Sequence, residues 1–288
     1  MFLQKRSTSF IIVTLIYVLA TVIGIGTYNA FNFDVWINVL IADVVATILV
    51  FIFSLVLKNA SVYDPYWSVQ PIVIVACFTF KVKFSLVVFL TLLVICLWGV
   101  RLTANWAYTF HGLKFQDWRY TLLNEKTKKF YPIINFVGIH LVPTLVVYLA
   151  VMPAVFLILE NPKLELLSLI GVVLSLTAVL LQTVSDMQMH KYRKNKTTPF
   201  IRIGLWKNSR HPNYLGEILM WWGVAIFSII NMPDKWWLIL GAFVNTLLFI
   251  FVSIPMAENK QSQKEGYAEY KKQTHVLLPF HKKKINRS

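Results

Sequence analysis

Polar side chains suited to binding or proton transfer cluster at residues 208–217, where a polar loop runs directly into an apolar segment. Arg210, His211, Asn213 and Glu217 lie within eight residues of one another, and Glu217 is followed at once by Ile, Leu, Met and Trp. Charged groups beside a membrane-grade apolar segment are costly to desolvate unless a polar or charged partner meets them. The pattern predicts a ligand site at this junction.

The start of the helix that follows the junction is expected to bind an anion. Asn208 or Ser209 is expected to cap the helix, and Pro212 suits its first turn. The free amides of that turn and the positive end of the helix dipole favour a phosphate, and Arg210 and Arg202 would add charge.

Asn213 and Glu217 are four residues apart and so share one face of this helix. A carboxylate and an amide placed in this way can bind a primary carboxamide or a ribose. The alternative is that Glu217 forms an ion pair with a Lys or Arg of another helix, but this leaves its place among apolar residues unexplained.

A second group of polar residues lies at the end of the apolar segment that precedes the junction. Gln182, Asp186 and Arg193 are spaced for one helical stripe. Asp186 lies near the membrane boundary, where a bound hydroxyl or a neighbouring Arg would offset its desolvation. The alternative, an internal salt bridge between helices, is compatible with the same stripe.

Two further groups are candidates. Arg101 and Asn105 are four residues apart at the end of an apolar segment, where Arg101 can reach a phosphate or extend to lipid headgroups. Asp64 precedes Pro65 at the start of another segment, so it is either a simple helix cap or a functional acid.

Several kinds of site find no support. The six His show no pair at metal-ligand spacing, and Cys77 and Cys96 lie inside apolar segments, so no metal site is predicted. His140 is expected to form a hydrogen bond between helices rather than bind a ligand. Gly-rich phosphate loops of the Rossmann or Walker type are missing from the sequence.

The composition identifies the elements that must position these groups. Hydrophobic residues make up 57% of the 288 residues and charged residues 14%, which predicts an all-α integral membrane protein. The net charge of +15 comes from Lys and Arg in loops between apolar segments. Membrane orientation explains this charge better than nucleic-acid binding, which is not predicted.

Apolar segments of membrane length predict eight crossings, with seven as the alternative. The third is short, and the fifth contains Pro143 and Pro153, so a kinked or re-entrant element is expected among them. The first is expected to be an uncleaved span rather than a signal peptide. The segments are 10–28, 35–57, 66–80, 84–106, 133–159, 164–187, 214–230 and 236–256.

If the eight crossings alternate, the basic residues are strongly biased to one side. All but four of the 28 Lys and Arg fall on the side that holds both termini. The positive-inside rule therefore predicts a multi-pass cell-membrane protein with both termini in the cytoplasm. Residues 1–258 are expected to form the membrane domain, and residues 259–288 a basic tail that either folds back onto the bundle or binds anionic lipids.

Three motifs give the chain a recognisable resemblance. They are Tyr-Asp-Pro-Tyr-Trp-Ser at 63–68, Asp-Trp-Arg-Tyr at 117–120, and Gly-Leu-Trp at 204–206 continuing to Ser-Arg-His-Pro-Asn-Tyr-Leu-Gly-Glu at 209–217. Through them the chain, from about 64 to 280, resembles the membrane family of unknown-function domain DUF1295, which is similar to the steroid 5α-reductases and sterol reductases.

The resemblance implies a steroid 5α-reductase-like helical bundle with an NADPH pocket open to the cytosol and a lipid-accessible substrate cavity. Asn213 and Glu217 would hold the nicotinamide carboxamide. The full set of expected cofactor-binding residues is Arg101, Asn105, Gln182, Asp186, Arg193, Arg210, His211, Asn213, Tyr214 and Glu217.

Steroid reductases polarise the substrate ketone with a glutamate and a tyrosine, and this chain departs from that pattern. Asp64 can stand for the glutamate, but Trp98 lies near the place expected for the tyrosine. Tyr63, Tyr66 or Tyr108 can replace it, and Asp64 and Tyr66 are taken as the expected catalytic pair.

The resulting hypothesis is an NADPH-dependent reductase of a conjugated C=C bond in a steroid-like or isoprenoid lipid. One alternative is an S-adenosylmethionine-dependent methyltransferase of the isoprenylcysteine carboxyl methyltransferase type, whose Arg-His-Pro-x-Tyr element is similar. The other is a transport or lipid-binding membrane protein, against which the one-sided placement of polar residues argues. The oligomeric state is left open.

Overall fold

The computed structural model describes residues 5–280, and within them the chain is helical, with a single β-bridge between Ser209 and His275. The predicted all-α class is confirmed. The α-helices are α1 (Arg6–Ala30), α2 (Val35–Val56), α3 (Tyr66–Thr79), α4 (Leu86–Thr109), α5 (Trp118–Thr127), α6 (Tyr131–Ile134), α7 (Val142–Glu160), α8 (Leu169–Lys194), α9 (Pro212–Asn231), α10 (Leu240–Leu248), α11 (Ile254–Gln261) and α12 (Tyr267–Gln273).

Seven helical stretches in the described chain are long and apolar enough to cross a membrane, which makes this a multi-pass membrane protein. The predicted segment that is not among them is the third, which forms α3, has 14 residues and contains Pro71. At 1.5 Å per residue it is about 21 Å long, shorter than the bilayer core of about 30 Å. The seven stretches are Arg6–Ala30, Val35–Val56, Leu86–Thr109, Trp118–Glu160, Leu166–Lys194, Pro212–Asn231 and Pro233–Gln261.

Two of the long stretches contain a π-helical turn next to a proline. Asn135–Leu141 joins α6 to α7 just before Pro143, and Phe249–Ser253 joins α10 to α11 just before Pro255. Proline lacks an N–H and its ring clashes with the carbonyl four residues earlier, so the preceding turn widens. The irregularity expected around Pro143 takes this form, and both widened turns line the site described below.

Helices α8 and α9 form the most extensive helix–helix contact in the described chain. Glycine allows this close approach: a Cβ on Gly216 would lie 2.5 Å from Cγ of Gln182 and 2.9 Å from the carbonyl oxygen of Ala178. The contact brings the side chain of Gln182 against the face of α9 that carries Glu217.

The helix ends that carry the predicted site residues meet at one end of the bundle, called here the polar end. The start of α1 joins the end of α4 through Arg6 Nη2, which donates to the carbonyl of Ala107 at 2.6 Å. The start of α3, the ends of α4 and α8, the start of α9 and the end of α10 line one cavity there. The side of the membrane on which this end lies stays a prediction.

The start of α3 differs from its expected capping. The residue at the helix cap is Pro65, and no side-chain cap bond forms. The carboxyl group of Asp64 instead accepts a hydrogen bond from Tyr120. The simple capping role considered for Asp64 is therefore wrong.

The start of α9 also differs from its expected capping. His211 occupies the cap position without a side-chain cap bond, and Pro212 is in the first turn as predicted. The Ser209 hydroxyl donates to the carbonyl of Leu277 at 2.7 Å and so ties the loop to the C-terminal segment. The cap position is thus held by His211 and not, as expected, by Asn208 or Ser209.

The C-terminal segment folds back against the start of α9 as far as residue 280. The backbone N–H of Arg210 donates to His275 and that of His211 to Val276, at 3.0 and 3.1 Å. Helix α11 continues without a break across the predicted division at residue 258, and this division stays a prediction. Residues 281–288 of the predicted tail lie outside the described residues.

Candidate functional site

A cavity of about 730 Å³ opens at the polar end, and we call it the polar-end cavity. Its volume falls within the range of about 300–1,000 Å³ usual for small-molecule sites. Its lining includes apolar side chains, such as Trp67, Val146 and Met256, as well as charged and amide groups. A ligand with an apolar body and a polar end can contact both kinds of group at once.

Glu217 lies in the wall of this cavity and is 4% exposed. Its carboxylate accepts hydrogen bonds from Trp98 Nε1 at 2.9 Å, Gln182 Nε2 at 2.9 Å and Trp221 Nε1 at 2.9 Å. These donors are neutral, and among residues 5–280 no cation forms an ion pair with it. The alternative of an ion pair to a Lys or Arg is therefore wrong, and the donors fix the carboxylate at the cavity wall.

Helices α4 and α8 are joined by two polar contacts one helical turn apart. Arg101 Nη1 lies 2.7 Å from Asp186 Oδ2, and His190 Nε2 lies 2.7 Å from Asn105 Oδ1. The interhelical salt bridge considered for Asp186 is present. Arg101, Asn105 and Asp186 also line the polar-end cavity, so the pairing and a ligand-binding role are compatible.

Three buried polar atoms of cavity-lining residues have no hydrogen-bond partner among residues 5–280. They are Nε of Arg101, Oδ1 of Asn213 and Nδ2 of Asn245. Buried polar groups are normally satisfied, so orphaned ones call for an explanation such as a ligand. Two donors and one acceptor around one cavity are complementary to a molecule that carries an amide and an anionic group.

Asp64 also lines the polar-end cavity and pairs with Tyr120, whose hydroxyl donates to Oδ1 of Asp64 at 2.5 Å. Burial raises the pKa of Asp64 to about 6, although the nearby charge of Arg119 and the bond from Tyr120 oppose this shift. The pair therefore holds an exchangeable proton near neutral pH, as general acid chemistry requires.

Arg119 is held by Asp117 at 2.8 Å beside this pair. Burial raises the pKa of Asp117, but hydrogen bonds from Arg119 outweigh it and lower the pKa overall. The Asp117 side chain also caps α5 by accepting from the backbone N–H of Arg119 at 2.9 Å. The Asp-Trp-Arg-Tyr motif thus sets Arg119 and Tyr120 at the cavity wall.

The structure brings most of the predicted site residues together. Gln182 contacts the cavity only through Glu217, and Arg193 is exposed beyond the cavity lining. Those that line the polar-end cavity are Asp64, Arg101, Asn105, Asp186, Asn213, Tyr214 and Glu217.

Arg210 and His211 lie elsewhere, in a buried cluster around Glu258. Nε of Arg210 and Nε2 of His211 each lie 2.9 Å from Oε1 of Glu258, and the hydroxyl of Tyr267 lies 2.7 Å from it. Arg210 also donates to the carbonyl of Thr274 at 2.6 Å. These contacts fasten the C-terminal segment and leave Arg210 and His211 outside the lining of the polar-end cavity, so their cofactor role stays a prediction.

Tyr66 is also placed away from the polar-end cavity. Its hydroxyl donates to Oδ1 of Asp43 at 3.1 Å, in a second cavity between α1, α2 and α3. Tyr63, the residue on the other side of Asp64 and Pro65, does line the polar-end cavity. A catalytic role for Tyr66 would require it to act from outside this cavity.

Three functional candidates were missed from the sequence. Tyr120 belongs to the Asp-Trp-Arg-Tyr motif, but the sequence does not reveal its contact with Asp64, because the two residues are 56 positions apart. Asn245 and Asp43 are isolated polar residues in apolar segments, and this isolation is itself the signal of a functional site. Both were open to detection from the sequence.

The fold and the site together define a class: an all-α, multi-pass membrane protein with a polar cavity at one end of its bundle. The model of the family described as protein of unknown function (DUF1295) matches residues 50–274, most of the chain. The chain therefore belongs to the DUF1295 family. The match begins within α2, so α1 lies outside it.

Curated relatives extend this finding. An uncharacterised protein of Schizosaccharomyces pombe is 26% identical over 226 residues, which are 65% of this chain and 64% of that protein. The 3-oxo-5-alpha-steroid 4-dehydrogenase 1 of Homo sapiens is 32% identical over 114 residues, 39% of this chain and 41% of that protein. That of Macaca fascicularis is 32% identical over the same share of this chain and 40% of its own length. No solved structure matches.

Proposed function

We propose that this protein is a membrane reductase that uses NADPH to reduce a C=C bond conjugated to a ketone in a steroid-like or isoprenoid lipid. The observation that carries the proposal is the meeting, in one cavity, of a carboxyl–phenol pair and a buried carboxylate flanked by orphaned amide atoms. Distant similarity to proteins named as steroid dehydrogenases supports a reductase rather than another membrane enzyme.

The residues present fit the polar end of the cofactor. The orphaned oxygen of Asn213 can accept from a carboxamide N–H, and the orphaned nitrogen of Asn245 can donate to a carboxamide oxygen. Glu217, one turn from Asn213, offers a second acceptor. Bound NADPH would supply the hydride that such a reduction needs.

Basic groups around the cavity suit the phosphates of the cofactor. Arg101 has an unpartnered Nε in the wall, and Arg119 keeps a side chain that is 45% exposed. Nζ of Lys260 lies 3.5 Å from the ring centre of the cavity-lining Trp118. If the polar end faces the cytosol, as the basic residues predict, the cofactor enters from there.

Asp64 and Tyr120 would polarise the substrate carbonyl. When Asp64 is protonated, the pair can donate to a ketone oxygen and stabilise the negative charge that develops on it during reduction. When Asp64 is ionised, the hydroxyl of Tyr120 is held by the carboxylate and is not available to the substrate. The protonated form is therefore the active one.

The apolar wall of the polar-end cavity suits the body of a lipid substrate. Trp67, Trp106 and Phe110 belong to one apolar cluster in this lining, and Val252 and Met256, from the stretch that joins α10 to α11, also line the cavity. A flat or isoprenoid hydrocarbon against these side chains would have its carbonyl at Asp64. Burial of its apolar surface would provide much of the binding free energy.

The proposal is tested by thermal stabilisation of the purified protein in detergent with NADPH, NADH or S-adenosylmethionine. A ligand at a hundred times its dissociation constant stabilises the folded state by about 2.7 kcal/mol. We expect NADPH to raise the unfolding temperature, Glu217→Gln to remove the rise, and the control Glu160→Gln, whose residue pairs with Lys235 away from the cavity, to keep it.

Turnover is then measured with a panel of lipid enones by loss of NADPH absorbance. Oxidation of NADPH that depends on an enone supports the reductase. Stabilisation by S-adenosylmethionine without any by NADPH would overturn it in favour of a methyltransferase.

A further inference from the structure

A second cavity, the α1–α3 cavity, lies between α1, α2 and α3 and has a volume of about 440 Å³. Its walls are largely apolar. Small residues, among them Ala20, Gly24, Ala42 and Ala46, leave the space open along α1 and α2. Because the family match covers residues 50–274, α1 and most of α2 lie outside it.

Asp43 supplies the only carboxyl group among the described residues that line this cavity. It is 4% exposed and accepts one neutral hydrogen bond on each oxygen, from Tyr66 at 3.1 Å and from Gln70 Nε2 at 2.5 Å. A carboxylate offers about four acceptor positions. Within residues 5–280 it forms no ion pair, so part of its hydrogen-bonding capacity is unused.

A carboxyl group in a membrane interior is costly unless it is paired or used. The Lys81 side chain at the other end of the cavity does not pair with it, because its ammonium lies over the rings of Tyr28 and Phe78 at 4.6 and 5.3 Å. Asp43 is therefore the polar terminus of an apolar pocket that is ringed by aromatic side chains at its other end.

From this arrangement we infer that the α1–α3 cavity is a binding site for an amphiphile: an apolar molecule whose hydroxyl or ammonium group donates a hydrogen bond to Asp43. The apolar body lies against Ala20, Gly24 and Ala46, and the donor takes the unused acceptor positions. This site goes beyond the proposed reductase, since it needs neither NADPH nor the polar-end cavity.

The space beside Gly24 provides a selective way to fill the cavity. A Cβ there would meet the carbonyl of Ala42 and the Cβ of Ala46 at 3.7 Å, an ordinary contact, so the backbone tolerates a side chain that then extends into the pocket. Gly26 on the same helix has nothing within 4 Å of its Cβ position and does not line the cavity. Gly26→Leu is therefore the matched control for Gly24→Leu.

The test uses the full chain in phosphatidylcholine nanodiscs, without NADPH, and a diazirine-bearing long-chain primary alcohol as photoreactive probe. The matching amine and methyl ether are run in parallel. We expect cross-links in the peptides that line the cavity, and at least about tenfold weaker labelling by the ether, because it cannot donate to Asp43. The probe that labels the protein at the lower concentration, alcohol or amine, shows whether the site prefers a hydroxyl or an ammonium group as donor.

Asp43→Asn should weaken labelling by the alcohol or the amine at least about threefold, and Gly24→Leu should abolish it, while Gly26→Leu labels like the original protein. The inference is overturned if the ether labels as well as the alcohol and the amine, or if Gly24→Leu labels normally. It is also overturned if the cross-links spread over the lipid-facing surfaces. None of these outcomes bears on NADPH, so failure here is distinct from failure of the reductase proposal.

Discussion

The polar-end cavity and the α1–α3 cavity each contain a carboxyl–tyrosine pair, but the other residues that line them differ. In each, a carboxyl group accepts a hydrogen bond from a tyrosine: Asp64 from Tyr120 in the polar-end cavity, and Asp43 from Tyr66 in the α1–α3 cavity. The polar-end cavity is also lined by cations, other carboxylates and orphaned amide atoms, whereas the lining of the α1–α3 cavity is largely apolar. The same pair is thus suited to polarising a substrate in one place and to anchoring an amphiphile in the other.

The start of α3 contributes to both cavities, with Trp67 in one and Tyr66 in the other, but their remaining supports are separate. The polar-end cavity depends on the α4–α8 pairing, the α8–α9 contact and the C-terminal segment, while the α1–α3 cavity depends on the first three helices. Substitutions in one set of supports should therefore leave binding at the other cavity unchanged, and the following predictions use this independence.

The largest effect is expected for Asp64→Asn, which removes the acid from the polar-end cavity. Turnover of an enone should fall by roughly 10²–10³, since loss of one charge-stabilising donor has about this cost, while NADPH stabilisation persists. The control is Asp234→Asn, whose side chain is exposed and pairs with Lys235. Unchanged turnover in Asp64→Asn would place the acid elsewhere, as would a loss equal to that of the control.

Glu258→Gln tests whether Arg210 and His211 act as supports rather than as cofactor ligands. Truncating a buried pair costs about 3–5 kcal/mol, so the unfolding temperature should fall clearly. The rise caused by saturating NADPH should stay, and so should labelling of the α1–α3 cavity. Glu269→Gln, on the exposed face of α12, serves as control. If the variant lost NADPH binding while its stability was unchanged, Arg210 and His211 would be cofactor ligands rather than supports.

Gly216→Ala should destabilise the protein by about 1–3 kcal/mol, because the new methyl group meets the backbone of Ala178, which cannot move aside. It should also weaken NADPH binding by moving Gln182 away from Glu217. Gly26→Ala, with open space at its Cβ, should be neutral or slightly stabilising. Thermal unfolding of both variants checks the prediction, and equal behaviour of the two would contradict the close α8–α9 contact.

The smallest effect, taken over the single pH unit above the pKa of Asp64, is a pH dependence of turnover. The raised pKa of Asp64, about 6, means that the carboxyl is protonated below this pH and ionised above it. Since only the protonated form donates to the substrate, turnover should fall by up to about tenfold per pH unit above 6. A pH–rate profile of Asp64→Asn should lack this arm. A profile that rises through pH 6 would assign the active form to the carboxylate.

Local pattern was enough to predict much of this fold. The lengths of the apolar segments predicted the membrane-spanning helices, and the short third segment corresponds to α3. The four-residue spacing of Asn213 and Glu217 correctly predicted that they share a face, and both line the polar-end cavity. These features depend on residues within one or two helical turns of each other, where periodicity determines which face a side chain takes.

The features that were missed depend on contacts between distant segments. The sequence predicts that Arg210 binds an anionic ligand, whereas in the structure Arg210 forms an ion pair with Glu258, 48 residues later. Tyr120 reaches Asp64 because the loop before α5 is hydrogen-bonded to residues 59–61, just ahead of α3. A single sequence carries no record of such pairings, so composition alone could not separate a ligand-binding arginine from one that fastens the C-terminal segment.

The π turn at Asn135–Leu141 has a consequence for the angular placement of side chains around its helix. A π turn accommodates one residue more than an α turn, and one residue corresponds to about 100° of rotation in an α-helix. Removing a single residue from this turn would rotate Val146 and Val147 relative to Gly138 and Ile139, which now line the same cavity. The length of this one turn therefore determines which side chains of α7 face the polar-end cavity.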